Sequence, residues 1–275
     1  AFLRATSRAV DTGKVIVFYK AGRTDAGRSA TMGHTASIAG DYDVCDAAIA
    51  AAGAIVVDTF KEFEQVIELA VFLHQKEVNG RRIGAITNAG FEAVGMADAT
   101  IGMRYQVTMP ALTESTRRTL SGVLEAHRLT SLVNLRNPLD LTPMASDDAY
   151  DGCLATFLDA GEFDAAIVSM VPLTPELLTG QDEIASSLSI GNRIVDWART
   201  ASKPLIAVVD SGRLFDPLAD LLRAGGVPVF RTSDQAIRSF GRYLCHRVER
   251  VSAKTESDHD VQASGTRQEL HASAT

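Results

Sequence analysis

The chain has 275 residues, enough for one large domain or two medium ones. It is 46% hydrophobic, 22% charged and only 6% aromatic, the balance of a globular α/β protein with a sizeable core. The net charge of −7 excludes a general electrostatic attraction to nucleic acid or to an anionic membrane surface.

The N-terminal stretch 2–10 alternates apolar groups with cations and reads as a surface helix. Gly13 stops it, and Val15–Tyr19 reads as a buried strand. A strand that follows a helix at once resembles the second half of a βαβ unit. The chain is therefore expected to be a piece of a longer polypeptide, its first domain incomplete at the N-terminus. A polar segment, 20–40, follows and reads as a loop. Asp41 is placed to cap a helix over 42–52 that Gly53 ends, and Ile55–Val57 is a short strand. Thr59 caps a long helix whose stripe is Phe60, Phe63, Val66, Ile67, Ala70 and Leu73. Asn79-Gly80 breaks the chain, and a domain boundary is expected there.

The second series begins with a strand over 83–87, a tight turn at 88–90 and a helix over 91–101. A helix over 112–127 is followed by the stiff, non-helical loop 137–143, which holds two prolines. Then come a helix over 147–160, a strand over 165–171 and a helix over 184–201. A strand over 205–209, a helix over 214–224, a short strand at 228–230 and a last helix over 233–248 complete the series. Continuous apolar strands separated by helices are the signature of a doubly wound parallel sheet. The expected division is 1–79, 80–250 and a disordered tail, 251–275.

The cysteines, Cys45, Cys153 and Cys245, lie far apart with no C-x-x-C pair, which argues against a zinc knuckle or a disulfide framework. No apolar run approaches the roughly 18–20 residues of a membrane span, and no signal-peptide core is seen. A cytoplasmic protein is expected.

Three segments can carry chemistry. The first is Gly33-His34-Thr35-Ala36-Ser37-Ile38-Ala39-Gly40, just after the cations Lys20, Arg23 and Arg28. Small neighbours leave the imidazole accessible, as acid, base, metal ligand or nucleophile, or simply as a polar turn residue. No second ligand stands at metal-site spacing, so no metal is assigned. The second is Thr87-Asn88-Ala89-Gly90, a strand–turn–helix junction whose N–H groups suit a phosphate. No P-loop, dinucleotide fingerprint or nucleophile elbow is present. The third is Asn137-Pro138-Leu139-Asp140, in which Asp140 is either a ligand or base or a cap for loop N–H groups. Asp210-Ser211-Gly212-Arg213 adds a polar cluster at a strand's C-terminal end, where ligands bind in this fold class.

In this order and spacing, the block from Lys20, the His34 block, Thr87–Gly90 and Asn137–Asp140 resemble the NDP-forming acyl-CoA synthetases, which include ADP-forming acetate–CoA ligase and succinyl-CoA synthetase. The resemblance covers about residues 1–245. It implies two flavodoxin-like domains and a role for His34 as the phosphohistidine that passes phosphate between an acyl phosphate and ADP. Thr87, Asn88, Ala89 and Gly90 would then bind that phosphate, supported by Gly33, Thr35 and Asp140. It further implies CoA, ATP or ADP and Mg²⁺ as substrates of the complete enzyme, a small organic acid, and an oligomer. The CoA-binding and ATP-grasp domains would be partners, as would the glutamate that supports the histidine, expected upstream. The chain departs from the family pattern at Gly33 and Ala36, and at Phe91-Glu92-Ala93 where the family reads Gly-Pro-Gly. Glu92 is expected to set a negative charge near the phosphate. The rival readings are a non-catalytic acyl-CoA- or nucleotide-responsive binding module, and a flavodoxin-like response module without phosphotransfer.

Overall fold

The computed structural model describes residues 1–35 and 41–250, without the side chains of residues 33–35. Residues 36–40 and the tail expected at 251–275 lie outside the described residues.

Helix α1 (Phe2–Asp11) leads into strand β1 (Val17–Tyr19). The segment expected to be a loop instead contains α2 (Asp25–Thr35), so the backbone of His34 is in a helix's last turn. The helix forms because Thr24 accepts the N–H of Gly27 at 3.1 Å, Asp25 supplies first-turn negative charge, and Asp25 pairs with Arg28 one turn on. Asp41 caps α3 (Tyr42–Ala51) by accepting the N–H of Val44 at 3.0 Å, and Gly53 takes φ +89° beyond it. Strand β2 (Ile55–Val57) pairs in parallel with β1.

Helix α4 (Phe60–Phe72) is capped by Thr59, as the sequence indicates, but its buried face differs from the expected stripe. Phe60 is 69% exposed, its ring resting on Tyr19, while Glu62 and Gln65 are buried. Val66 and Leu73 of the stripe are buried as expected, and the polar additions have a cause: Glu62 meets Arg242, and Gln65 accepts a hydrogen bond from Ser239.

Strand β3 (Ile83–Thr87) opens the main sheet and runs into α5 (Gly90–Asp98). The helix expected over 91–101 ends at Asp98, because the chain turns into a small antiparallel hairpin, β4 (Ile101–Gly102) with β5 (Tyr105–Gln106). Helix α6 (Glu114–Ala126) follows, and the loop 137–143 contains the short strand β6 (Leu139–Asp140). Next come α7 (Asp147–Asp159) and β7 (Ala165–Met170). Helix α8 (Ile190–Thr200) starts six residues later than expected: Ser189 is the cap, accepting the N–H of Asn192 at 3.4 Å. Strand β8 (Leu205–Val209), a 3₁₀ turn at Arg213–Phe215, α9 (Asp216–Ala224), β9 (Val229–Phe230) and a last helix, α10 (233–250), complete the chain.

The main sheet is parallel, in the order β6-β3-β7-β8-β9. Counting from β3 this is 2-1-3-4-5, the flavodoxin-like winding. Its strands are buried on both faces. Ile86, Val168 and Ala207 point to a core shared with α6, α7, α8 and α9. Ala85, Ile167 and Val208 point to a second core, shared with α4, α5 and α10. The second core also takes in Ile55 and Val57 of β2, so the β1–β2 pair rests on the main sheet's helical layer.

Candidate functional site

The winding reverses at β3, so the crevice for a ligand lies beyond the C-terminal ends of β3 and β7. The residues there are Thr87–Gly90, Met170–Val171 and Asp210–Ser211.

Thr87 and Asn88 are buried and committed to the scaffold. Thr87 Oγ1 accepts the N–H of Ala89 at 3.2 Å. Asn88 clamps Val171 from both sides: Oδ1 accepts its N–H at 2.8 Å and Nδ2 donates to its carbonyl at 3.0 Å. These bonds fix the turn, and no side chain caps α5. The N-terminal N–H groups of α5 therefore face the crevice with the positive end of the helix dipole.

Asp140 reaches the same place. Its Oδ1 accepts the N–H of Thr142 at 3.0 Å, and its Oδ2 lies 3.2 Å from where a β-carbon on Gly90 would stand. Glycine at 90 thus keeps the approach to the helix end open. Asn137 holds this corner together: it accepts from Ala85 N at 3.0 Å and donates to the carbonyls of Ile83 at 2.8 Å and Pro110 at 3.1 Å. Thr87, Asn88, Ala89, Gly90 and Asp140 are therefore one constellation. The side chains of Gly33, His34 and Thr35 lie outside the described residues.

Glu92 does not sit on the open surface of the helix end. It is 1% exposed and turned into the protein, where Ser169 Oγ donates to its Oε2 at 2.9 Å. Its carboxyl also meets the side chains of Asp210 and Ser233. Burial, and then the Asp210 carboxyl beside it, push it up to about 7. Around it, the hydroxyl of buried Tyr150 donates to the carbonyl of Ser169 at 2.9 Å, and the N–H of Asp210 donates to Met170 at 3.0 Å. Sequence reasoning found Asp210 by its place at a strand end. It missed Ser169 and Ser233, which carry no local signal and meet Glu92 only through the sheet and α10.

Among the described residues, no three His, Cys, Asp or Glu side chains stand together as a metal cage. No helix of the described chain is long and apolar enough to cross a membrane.

Residues 1–70 match the family described as the succinyl-CoA ligase like flavodoxin domain. An ADP-forming acetate–CoA ligase of Methanocaldococcus jannaschii is 28% identical over 258 residues, 94% of this chain and 34% of that protein. The alpha subunit of the ADP-forming acetate–CoA ligase II of Pyrococcus furiosus is 25% identical over 228 residues, 82% of this chain and 47% of that subunit. The acetyl-coenzyme A synthetase 1 of Ca. Korarchaeum cryptofilum, solved in complex with phosphate and ADP, superposes with a TM-score of 0.75. It is 21% identical and is matched over 93% of this chain and 51% of its own, which shows the shared fold. The chain thus spans about a third to a half of the relatives it matches. By sequence it is a relative of the NDP-forming acyl-CoA synthetases, and its fold is that of their flavodoxin-like domains.

Proposed function

We propose that this chain is part of an NDP-forming acid–CoA ligase and that His34 is its phosphate carrier. The observation that carries the reading is the similarity to an ADP-forming ligase over 94% of the chain, a span that includes both the His34 block and the α5 turn.

The reaction interconverts acyl-CoA, ADP and phosphate with acid, CoA and ATP. In the ATP-forming direction, neutral imidazole attacks the phosphorus of an acyl phosphate, the acid leaves, and the phosphoryl group rests on nitrogen until ADP takes it; ligation runs the same steps in reverse. The phosphorylated imidazole is strongly anionic and needs compensation. The uncapped N-terminus of α5 offers N–H groups and a dipole, a contribution of about 1 kcal/mol and up to ~2 when partly buried. Thr87 and Asn88 hold that end in position, and Gly90 leaves room for the phosphate.

Residues 1–79 would be the C-terminal part of the histidine-bearing domain and 80–250 a second flavodoxin-like ligase domain. CoA, the nucleotide and Mg²⁺ would be held mainly by a CoA-binding domain and an ATP-grasp domain, in the same polypeptide or in a partner subunit. The assembly would be a cytoplasmic oligomer, and the acid is a small carboxylic acid.

The test is to incubate the complete enzyme with Mg²⁺ and γ-labelled ATP. Acid-labile, base-stable label is expected on the wild type and absent from a His34→Asn variant, with turnover lost by at least a thousandfold. Normal labelling and turnover in that variant would overturn the reading.

A further inference from the structure

Among the described strands, the β4–β5 hairpin pairs only with itself, yet it is held firmly. Tyr105, 9% exposed, donates its hydroxyl to the carbonyl of Ala99 at 2.9 Å. Its ring lies where a β-carbon on Gly102, or on Gly241 of α10, would stand. Cys245 Sγ of α10 donates to the carbonyl of Gln106 at 3.5 Å. These contacts tie the hairpin to the body built on the main sheet. From the hairpin's turn, Arg104 reaches across to the N-terminal segment and pairs with Asp46 of α3.

Asp46 lies one turn after Tyr42, the first residue of α3. Its side chain is 13% exposed, and its other oxygen, Oδ1, is buried and makes no hydrogen bond of its own. The Arg104 guanidinium is the cation paired with this carboxylate. Tyr42 is buried, and Lys20, just after β1, sets its ammonium 5.9 Å from the centre of the Tyr42 ring, within cation–π range. Asp58, just after β2, stands near Tyr42 as well and pairs with Arg242 of α10. Lys20 and Tyr42 flank the stretch of chain that carries the His34 block. The contacts therefore join the two ends of that stretch to each other and, through Asp46 and Arg104, to the main body.

We propose that Arg104 is a positioning residue: its pair with Asp46 fixes the ends of the His34 stretch against the main body and so sets where the phosphate carrier stands. The inference rests on the reading of His34 as that carrier. Arg104 acts through α3 and does not touch the transferred group. Without the guanidinium the Asp46 carboxylate loses its compensation, and α3 moves to let it reach water. A displacement of about 1 Å at a reacting group can slow a transfer step by roughly a hundredfold. A single, partly exposed ion pair adds little to global stability. Loss of Arg104 thus has its own signature, slow transfer in a protein that remains folded.

The complete enzyme is mixed with Mg²⁺ and γ-labelled ATP. The rate at which His34 gains label is followed together with KM for the nucleotide and the midpoint of thermal unfolding. Arg104→Ala is expected to slow labelling by about ten- to a hundredfold, with KM changed by less than about twofold and the midpoint close to that of the wild type. Arg104→Lys keeps the charge without the planar fork and is expected to recover part of the rate. Arg104→Asp combined with Asp46→Arg restores a pair with its ends exchanged and is expected to label faster than either reversal alone. A purely structural role would instead lower the midpoint in step with the rate. Labelling of Arg104→Ala at the wild-type rate, or a rise in KM alone, overturns the positioning role and leaves His34 as the carrier. If Arg104→Ala does not fold, the exchanged pair decides, and no gain over the single reversals overturns the role. No label on His34 in the wild type overturns the carrier and the positioning role together.

Discussion

Glu92 shows how far a single side chain's meaning depends on what lies across the fold. In the chain it is a first-turn acid, a residue that normally favours the helix dipole from the surface. In the protein it is a buried carboxyl facing a second one, and the cost of ionising it becomes a pH dependence of stability. The folded state keeps the proton from about 4.5, the ordinary value, up to about 7, so over that interval it binds more protons than the unfolded chain. Stability contributed by Glu92 is therefore full below pH 4.5, falls as pH rises and is lost above pH 7. Glu92→Gln is expected to remove this slope and to stabilise the chain at pH 8 by on the order of 2 kcal/mol, read from urea unfolding across the pH range. Equal slopes in both proteins would show that the carboxyl titrates normally. Asp164 has the opposite sign. Burial raises it, but hydrogen bonds from the Arg82 guanidinium and backbone N–H outweigh burial and hold it below the usual carboxylate range. Its contribution is present at neutral pH and is lost on acidification.

At the scale of the element, legibility followed the reach of the signal. Caps were readable because they act within three residues: Asp41 on Val44 and Thr59 on Glu62. Strands β3, β7 and β8 of the main sheet were readable because burial on both faces makes them continuous apolar runs. What failed was either small or set by distant partners. The β4–β5 hairpin is two residues a side, too short for an alternation to show. Helix α2 is rich in small and polar residues and lacks an apolar stripe, so only its Thr24 cap betrays it. Helix α4 buries Glu62 and Gln65 beside its apolar Val66 and Leu69 to meet α10, which no local period can reveal. The corner at β6 was legible as a stiff loop, but its organiser was not. Asn137 makes three hydrogen bonds to backbone groups of β3 and of the chain before α6. Asn137→Ala leaves those groups unpaired and is expected to cost about 2–4 kcal/mol by chemical denaturation, with amide exchange quickened first at Ala85. A loss below 0.5 kcal/mol would assign the corner's rigidity to its prolines.

Across the whole molecule, the candidate site was half legible. The turn Thr87–Gly90 and Asp140 were found as separate motifs, and the sheet brings them together. The inward carboxyl pair needed the fold. The same holds for the join between the N-terminal segment and the main sheet. Arg242 of α10, 6% exposed, donates to the carbonyl of Val56 and pairs with Asp58 and Glu62, the latter contact at 2.6 Å. Burial here makes removal of one partner worse than absence of the whole group. Arg242→Ala is expected to lower stability by about 3–5 kcal/mol by leaving the buried carboxylate of Glu62 uncompensated. Arg242→Ala with Glu62→Gln is expected to recover part of that loss in differential scanning calorimetry. No recovery would mean that Arg242 acts by packing alone.

The second core has a consequence for how such chains can be inherited. Ile55, Val57, Val66 and Leu69 share one apolar cluster with Ile83, Ile167, Phe240 and Tyr243, although the main sheet begins only after residue 80. The break at Asn79-Gly80 separates two sheets without separating two interiors. A segment ending there is therefore not a cassette that shuffling could move freely between relatives. Transplanted alone, it would meet a foreign surface with the wrong knobs and hollows, and the mismatch would cost cavities and clashes on both sides. The two halves are bound to change together, position by position, along the face they share.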